Sequence, residues 1–168
     1  YGEEVRSLRR HYSWLRKRLG NKKALKTIKK IGNTEKRKVN DILHKISKEI
    51  VNKAMQTNAL IVLGDLEGIR YSAKVKGRRM RRIVSSMPFY KLTQYIEYKA
   101  EDYGIRVVKI NERGTSHTCS RCGLDGKRVK QGIFKCPNCK LNYNADLNGS
   151  KNIAKRFNSY MQLNGATL

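Results

Sequence analysis

Four cysteines, all that the chain has, stand as two Cys-x-x-Cys pairs: Cys119 with Cys122, and Cys136 with Cys139, thirteen residues between the pairs. Nothing else in the sequence constrains the fold as tightly. Two knuckles at this spacing, joined by a short hairpin, bring four thiolates around one tetrahedral ion. Cys-Ser-Arg-Cys-Gly and Cys-Pro-Asn-Cys-Lys put small or turn-forming residues where each knuckle bends. The expected occupant is structural Zn²⁺, because four thiolates leave no open position for a substrate or an activated water. Two disulfides are the competing reading. The sequence shows no secretory leader or apolar spanning run, and 168 residues can build a core without covalent staples. His117 could compete as a ligand, but beside four well-spaced thiolates it reads as a strand or loop histidine.

Charge narrows the partner. The net charge is +25, from 38 Lys and Arg against 13 Asp and Glu. Such a field draws the chain to polyanions. Nucleic acid ranks above a membrane surface, since there is neither a lipidation motif nor an apolar helix face rimmed with Trp and Lys. Cysteine usage and the lack of a targeting signal point to the cytoplasm. The charge peaks at residues 74–82, where Lys74, Lys76, Arg78, Arg79, Arg81 and Arg82 have no acid among them. Six cations in one loop repel one another unless something anionic lies against them, so phosphate contact is expected.

Periodicity gives the organisation. Val5, Leu8, Tyr12, Leu15 and Leu19 mark one face of a helix ending near Gly20. Ala24, Leu25, Ile28 and Ile31 mark a second, ending at Gly32. Thr34 is placed to cap a third, whose stripe of Val39, Ile42, Leu43, Ile46, Ile50, Ala54 and Met55 runs to about Gln56. Trp14 and the tyrosines of this region are expected in the core. The run 59–63 then reads as a buried parallel strand ending at Gly64-Asp65-Leu66. Pro88 opens another helix, with Phe89, Leu92, Tyr95, Ile96, Ala100 and Tyr103 inward and Gly104 at its end. Residues 105–110 form a second strand. The last helix runs from about Asp146 to Phe157, with Leu147, Ile153, Ala154 and Phe157 inward and a frayed tail beyond. The expected class is α/β with parallel strands, divided as 1–113, a ribbon at 114–143, and 144–168. Two strands make a thin sheet, and a chain that opens on Tyr1 reads as a piece of something longer.

Acids are scarce, so those at element ends stand out. Asp146 lies at a helix start, where the helix dipole keeps a carboxylate ionised; a plain N-cap is the commoner role there. Glu112 ends a strand, and Asp65 and Glu67 follow the other strand end, where parallel sheets gather functional groups. All three are also compatible with solvated loops. His44 sits mid-helix, a position usually structural and sometimes a nucleic-acid contact. Asn148 and Arg156 lie beside Asp146 on the last helix, either near a bound strand or on a solvated face.

Several short motifs occur in order: Ile61-Val-Leu-Gly-Asp-Leu66, Lys99-Ala100 with Gly104-Ile-Arg-Val-Val, Thr115-Ser116 before Cys119 and Cys122-Gly123, Cys136-Pro137, and Asn144-Ala-Asp146 with Asn148 and Asn152-Ile153-Ala154. Together they resemble the TnpB (OrfB) transposon-associated proteins, which are similar to type V CRISPR effectors. The resemblance covers residues 35–157. It implies an incomplete RNase H-like (RuvC-type) core with an inserted Cys₄ zinc ribbon, preceded by basic helices. It further implies cleavage of DNA under a guide RNA, with Mg²⁺ or Mn²⁺ in the complete site. Asp146 matches the family's third catalytic acid. The first acid belongs to a strand upstream of Tyr1. The second, a glutamate, usually stands where this chain has Gly64. Some relatives carry it downstream, just ahead of the Thr-Ser and the ribbon, and Glu112 occupies that place, with Asp65 or Glu67 as substitutes. Glu112 and Asp146 are therefore the expected catalytic pair, with Gly64 near them.

Three functions are compatible with these residues. One is the C-terminal part of a TnpB-like nuclease, inactive by itself and completed by the missing N-terminal part. Another is a non-catalytic nucleic-acid-binding module, truncated or regulatory. The third is a zinc-ribbon protein of translation or transcription, against which Asn-Ala-Asp146 argues, since such proteins need no acid there.

Overall fold

A computed structural model describes residues 2–65, 77, 88–130 and 132–163. They fall into two compact units, one drawn from 1–60 and 67–106, the other from 61–66 and 107–168. The basic run Lys74, Lys76, Arg78, Arg79, Arg81 and Arg82 lies outside the described residues, as do Glu67 and the tail beyond 163.

The first unit is three helices: α1 (Gly2–Asn21), α2 (Leu25–Gln56) and α3 (Phe89–Asp102). α1 and α3 both pack on α2. Val5, Val39, Ile42, Leu43 and Ile46 form the core, with Leu8, Ile50, Leu92 and Tyr95 against it. Burying each large aliphatic chain contributes about 1.5–3 kcal/mol, so this cluster is the unit's main support. The sequence pattern predicts a break at Gly32; instead α2 is one helix of 32 residues. Gly32 is not in the left-handed region, and Thr34 does not cap, because its hydroxyl donates back to the Lys30 carbonyl at 3.2 Å. Trp14 is also a correction. It is 52% exposed, off the Val5–Leu8–Tyr12 stripe, with the Arg18 guanidinium 4.9 Å from its ring centroid. Tyr103 is exposed too, since it falls past the end of α3 as its C-cap residue.

His44 has a structural place in this unit. Its ring stacks on Tyr95 at 4.0 Å, and its carbonyl accepts from Lys99 Nζ at 2.7 Å. Lys99 also donates to Ser47 Oγ at 2.6 Å. Burial, with Lys48 nearby, lowers the Lys99 pKa.

The second unit holds the sheet pair β1 (Ile61–Asp65) and β2 (Val107–Asn111), the ribbon strands β3 (Lys127–Lys130), β4 (Ile133–Lys135) and β5 (Asn142–Asn144), and helix α4 (Ala145–Leu163). β1 and β2 are parallel, as the two β-branched runs predict, with Ile61 opposite Val107 and Gly64 opposite Ile110. The ribbon sheet is antiparallel in the order β3-β4-β5. Its hairpin closes over Phe134, which is fully buried. Gly126 is required beneath that ring: a Cβ there would stand 2.8 Å from Phe134 Cε2 and 2.9 Å from the Lys135 carbonyl. β5 runs straight into α4, which packs on β1 and β2. α4 continues past Asn158 to Leu163, so the expected fraying there is wrong: Phe157 and Met161 are both buried and hold that turn in place. Leu147 and Ala154 face outward, and Asn148 takes the inward position. No described helix is long and apolar enough to cross a membrane.

Candidate metal centre and carboxylate site

The four cysteine Sγ atoms all lie within 4.8 Å of one another. Cys119 and Cys139 are 3.6 Å apart, as are Cys122 and Cys136. A sulfur–sulfur bond is about 2.05 Å, so these are free thiols. Four sulfurs about 2.3 Å from one tetrahedral centre stand roughly 3.8 Å from each other, so the cluster fits a metal ion. Backbone N–H groups prepare it. The Leu124 N–H lowers the Cys122 thiol pKa below a free cysteine's, while Cys139, despite the Leu141 N–H, is raised by burial and the neighbouring sulfurs. His117 stays out of the ligand group.

The segment from β2 to the first knuckle is held by one face of α4. Asn148 is fully buried; its Oδ1 accepts from the Ser120 N–H at 2.8 Å and its Nδ2 donates to the Thr118 carbonyl at 2.8 Å. One turn on, Asn152 donates to the carbonyls of Thr115 and Thr118 at 2.8 and 2.7 Å. Lys155 donates to the Ser120 carbonyl, and Arg156 to those of Asn111 and Arg113. Spacing at 148, 152, 155 and 156 places these donors on one side of the helix. They satisfy a stretch of irregular backbone that has no ladder of its own. Asn148 and Arg156, weighed as contacts to a bound strand, are thus braces for the residues around Glu112 and Cys119. Asn148→Ala leaves the buried Ser120 N–H without its partner, which costs about 1–3 kcal/mol, while the Thr118 carbonyl keeps Asn152. Its thermal midpoint should drop accordingly, while Ser150→Ala, exposed on the same helix, should leave it unchanged.

Glu112 follows β2 directly. Its carbonyl accepts from the Thr115 hydroxyl at 2.8 Å and the Thr115 N–H at 3.1 Å, which fixes its backbone. Its side chain lies over Gly64 on the neighbouring strand. A Cβ at Gly64 would overlap Glu112 Oε2 and stand 3.1 Å from Cδ. The carboxylate therefore fills the space that a side chain at position 64 would take. Burial, and after it the charge of Asp65, raises the Glu112 pKa.

Asp146 lies in the first turn of α4 but is not its cap. Asn144 is, with Oδ1 accepting from the N–H groups of Asp146 and Leu147 at 2.9 and 3.0 Å. The cap expected from sequence is Asp146; the strand-to-helix junction gives that place to Asn144. The Asp146 carboxylate is 80% exposed and pairs with Arg128 of β3 at 2.9 Å. Among the described residues the cysteines are the one group of three or more possible ligands within 4.8 Å of each other; Asp65, Glu112 and Asp146 do not form another.

Comparison with known proteins gives a consistent picture. The family model of the Cas12f1-like TNB domain matches residues 89–153. A TnpB-like protein of Methanocaldococcus jannaschii is 38% identical over 144 residues, covering 84% of this chain and 52% of that protein. The CRISPR-associated endodeoxyribonuclease Cas12f1 of Sulfoacidibacillus thermotolerans is 40% identical over 114 residues, covering 66% of this chain and 25% of that protein. The chain thus spans about half the length, or less, of these relatives. In fold it is similar to the protein in a cryo-EM structure of a Cas12f1–sgRNA–target DNA complex, at a TM-score of 0.63 and 23% identity, over 84% of this chain and 41% of that one. The family model spans α3, β2, the four-cysteine ribbon and the first turns of α4, and the chain belongs to the TnpB family.

Proposed function

We propose that the chain is the C-terminal part of an RNA-guided, divalent-metal-dependent DNA endonuclease associated with a transposon. It would carry an incomplete RNase H-like (RuvC-type) core with an inserted zinc ribbon, divided as 1–113, 114–143 and 144–168. The observation that carries this is Glu112 standing over Gly64, beside Asp65, at the ends of two adjacent parallel strands. A carboxylate delivered to that point from the neighbouring strand does what a glutamate at position 64 would do. Glu112 and Asp146 are the residues that would hold Mg²⁺ or Mn²⁺, with Asp146 first giving up Arg128. Such ions activate the attacking water and stabilise the leaving oxygen. Cys119, Cys122, Cys136 and Cys139 hold Zn²⁺, which keeps the ribbon folded. Guide RNA and target DNA are the partners, in the cytoplasm, and Lys74, Lys76, Arg78, Arg79, Arg81 and Arg82 contact phosphates. Membership of the TnpB family argues against a ribosomal or transcriptional zinc-ribbon role.

One observation favours a second function, a non-catalytic nucleic-acid-binding module: Asp146 is engaged by Arg128 and does not converge with Glu112 and Asp65 into one ligand cluster. Both functions require nucleic acid. Binding of short RNA and DNA should weaken linearly in log K against log salt, by about 0.9 per phosphate contacted on duplex and about 0.7 on single strands. Charge reversal at Arg78, Arg79, Arg81 and Arg82 should flatten that slope equally for all base sequences. Binding that ignores salt would refute both. Cleavage of DNA with Mg²⁺ or Mn²⁺ that Asp146→Ala abolishes would select the nuclease.

A further inference from the structure

The first unit gathers positive charge at residues other than those of the run at 74–82. A cleft of about 440 Å³ is lined by Arg9 and Arg16 of α1, Lys36 and Asn40 of α2, and Lys91 of α3, with Glu35 as its one carboxylate. Glu35 is already engaged, in an ion pair with Arg16. Among the described residues, Arg9, Lys36 and Lys91 make no salt bridge. Arg9 Nε is buried with no hydrogen-bond partner. Cations from three helices thus face one space with a single neutralising acid, and one of them keeps a dry, unused donor.

We infer that this cleft binds a phosphate of the sugar–phosphate backbone of a nucleic-acid strand. The inference rests on the nucleic-acid reading above and adds to it a site that the sequence did not single out. An arginine fork suits a phosphate's paired oxygens, and lysines on the flanking helices supply point charge without directional demand. The cleft is larger than one phosphate group, so it has room for the sugar on either side. Gly32 lines the same space, and a Cβ there would meet nothing within 4 Å. Position 32 therefore accepts a side chain that reaches into the cleft without disturbing α2.

The test uses the whole chain with zinc bound, and labelled RNA, single-stranded DNA and duplex DNA of equal length. Arg9→Gln and Gly32→Glu should each weaken binding to all three by about tenfold and reduce the salt slope by roughly one. Gly32→Gln, of the same size without the charge, should bind as the natural chain does. Thermal melts check folding, and Gly32→Glu serves if Arg9→Gln is unstable. Inorganic phosphate at matched ionic strength should displace the strands from the natural chain and not from Arg9→Gln. Natural affinity and slope in both variants would overturn the site and leave the nucleic-acid reading standing. Displacement by phosphate combined with unchanged strand affinity in the variants would make it a free-anion site and overturn the backbone assignment. If the natural chain binds none of the three strands, the site and the functional reading fall together.

Discussion

Cys119→Ser or Cys139→Ser is expected to strip the chain of its stoichiometric metal and unfold residues 115–145, leaving the three-helix unit intact. Apart from the α4 hydrogen bonds to Thr115, Thr118 and Ser120, the ribbon has little else to hold it. Its hydrophobic core is Cys119, Cys136, Phe134 and Ala145, so two of the ligands are half of that small cluster. β3 is exposed along its whole length. One buried Phe contributes about 1.5–3 kcal/mol. A structural zinc site contributes about 10–16 kcal/mol of apparent binding energy at neutral pH, which far outweighs it. Helices α1, α2 and α3 rest on a core that contains no cysteine, so far-ultraviolet circular dichroism should persist while amide exchange in the ribbon becomes fast. Protons compete with the metal for thiolates, so release should come as pH falls. Protein purified without chelator that contains no zinc and pairs its four thiols as disulfides would overturn the assignment.

The parts of this fold that could be read from sequence are those written in spacing. The cysteine pairs, the α1 stripe and the two β-branched runs each repeat at a period that one kind of element can satisfy. The continuity of α2 was not written that way. Gly32, Asn33 and Thr34 are poor helix formers, yet the Val39–Ile46 face docks on α1 and α3 and carries the helix through them. Trp14 misled because size and apolarity favour burial, whereas its angular position on α1 faces Arg18 and water. Asn148 and Asn152 were the hardest to see. They bond to backbone about thirty residues away, and no local pattern reports such contacts. Glu112 shows the same limit from the other side. Its position past a strand end was visible, but its overlap with position 64 depends on the register that sets Gly64 opposite Ile110.

That overlap makes Gly64→Ala the sharpest probe of the carboxylate site. A methyl group at position 64 takes the space of Glu112 Oε2, which is the far end of a flexible side chain and can swing away. Folding should therefore suffer little, and relief of glycine's entropy in a strand works in the variant's favour by about 0.5–1 kcal/mol. Divalent-ion affinity should not survive so well. Disturbing a group that orients a ligand typically costs about 10–100-fold in metal affinity, and here the ligand itself is displaced. Glu112→Gln gives the matching control. The folded-state pKa of Glu112 lies above its ordinary value of 4.5, chiefly through burial. A carboxylate raised in this way weakens the fold as pH climbs through its folded pKa and does not do so in acid below its ordinary value. Glu112→Gln should thus melt higher than the natural chain at neutral pH and no higher in acid. A bound cation relieves the same penalty, so Mn²⁺ added to the zinc-loaded natural chain should raise its melting midpoint. In Glu112→Gln the rise should vanish, and in Gly64→Ala it should need about 10–100 times more Mn²⁺. Equal Mn²⁺ responses in all three proteins would mean that Glu112 does not replace the glutamate absent from position 64.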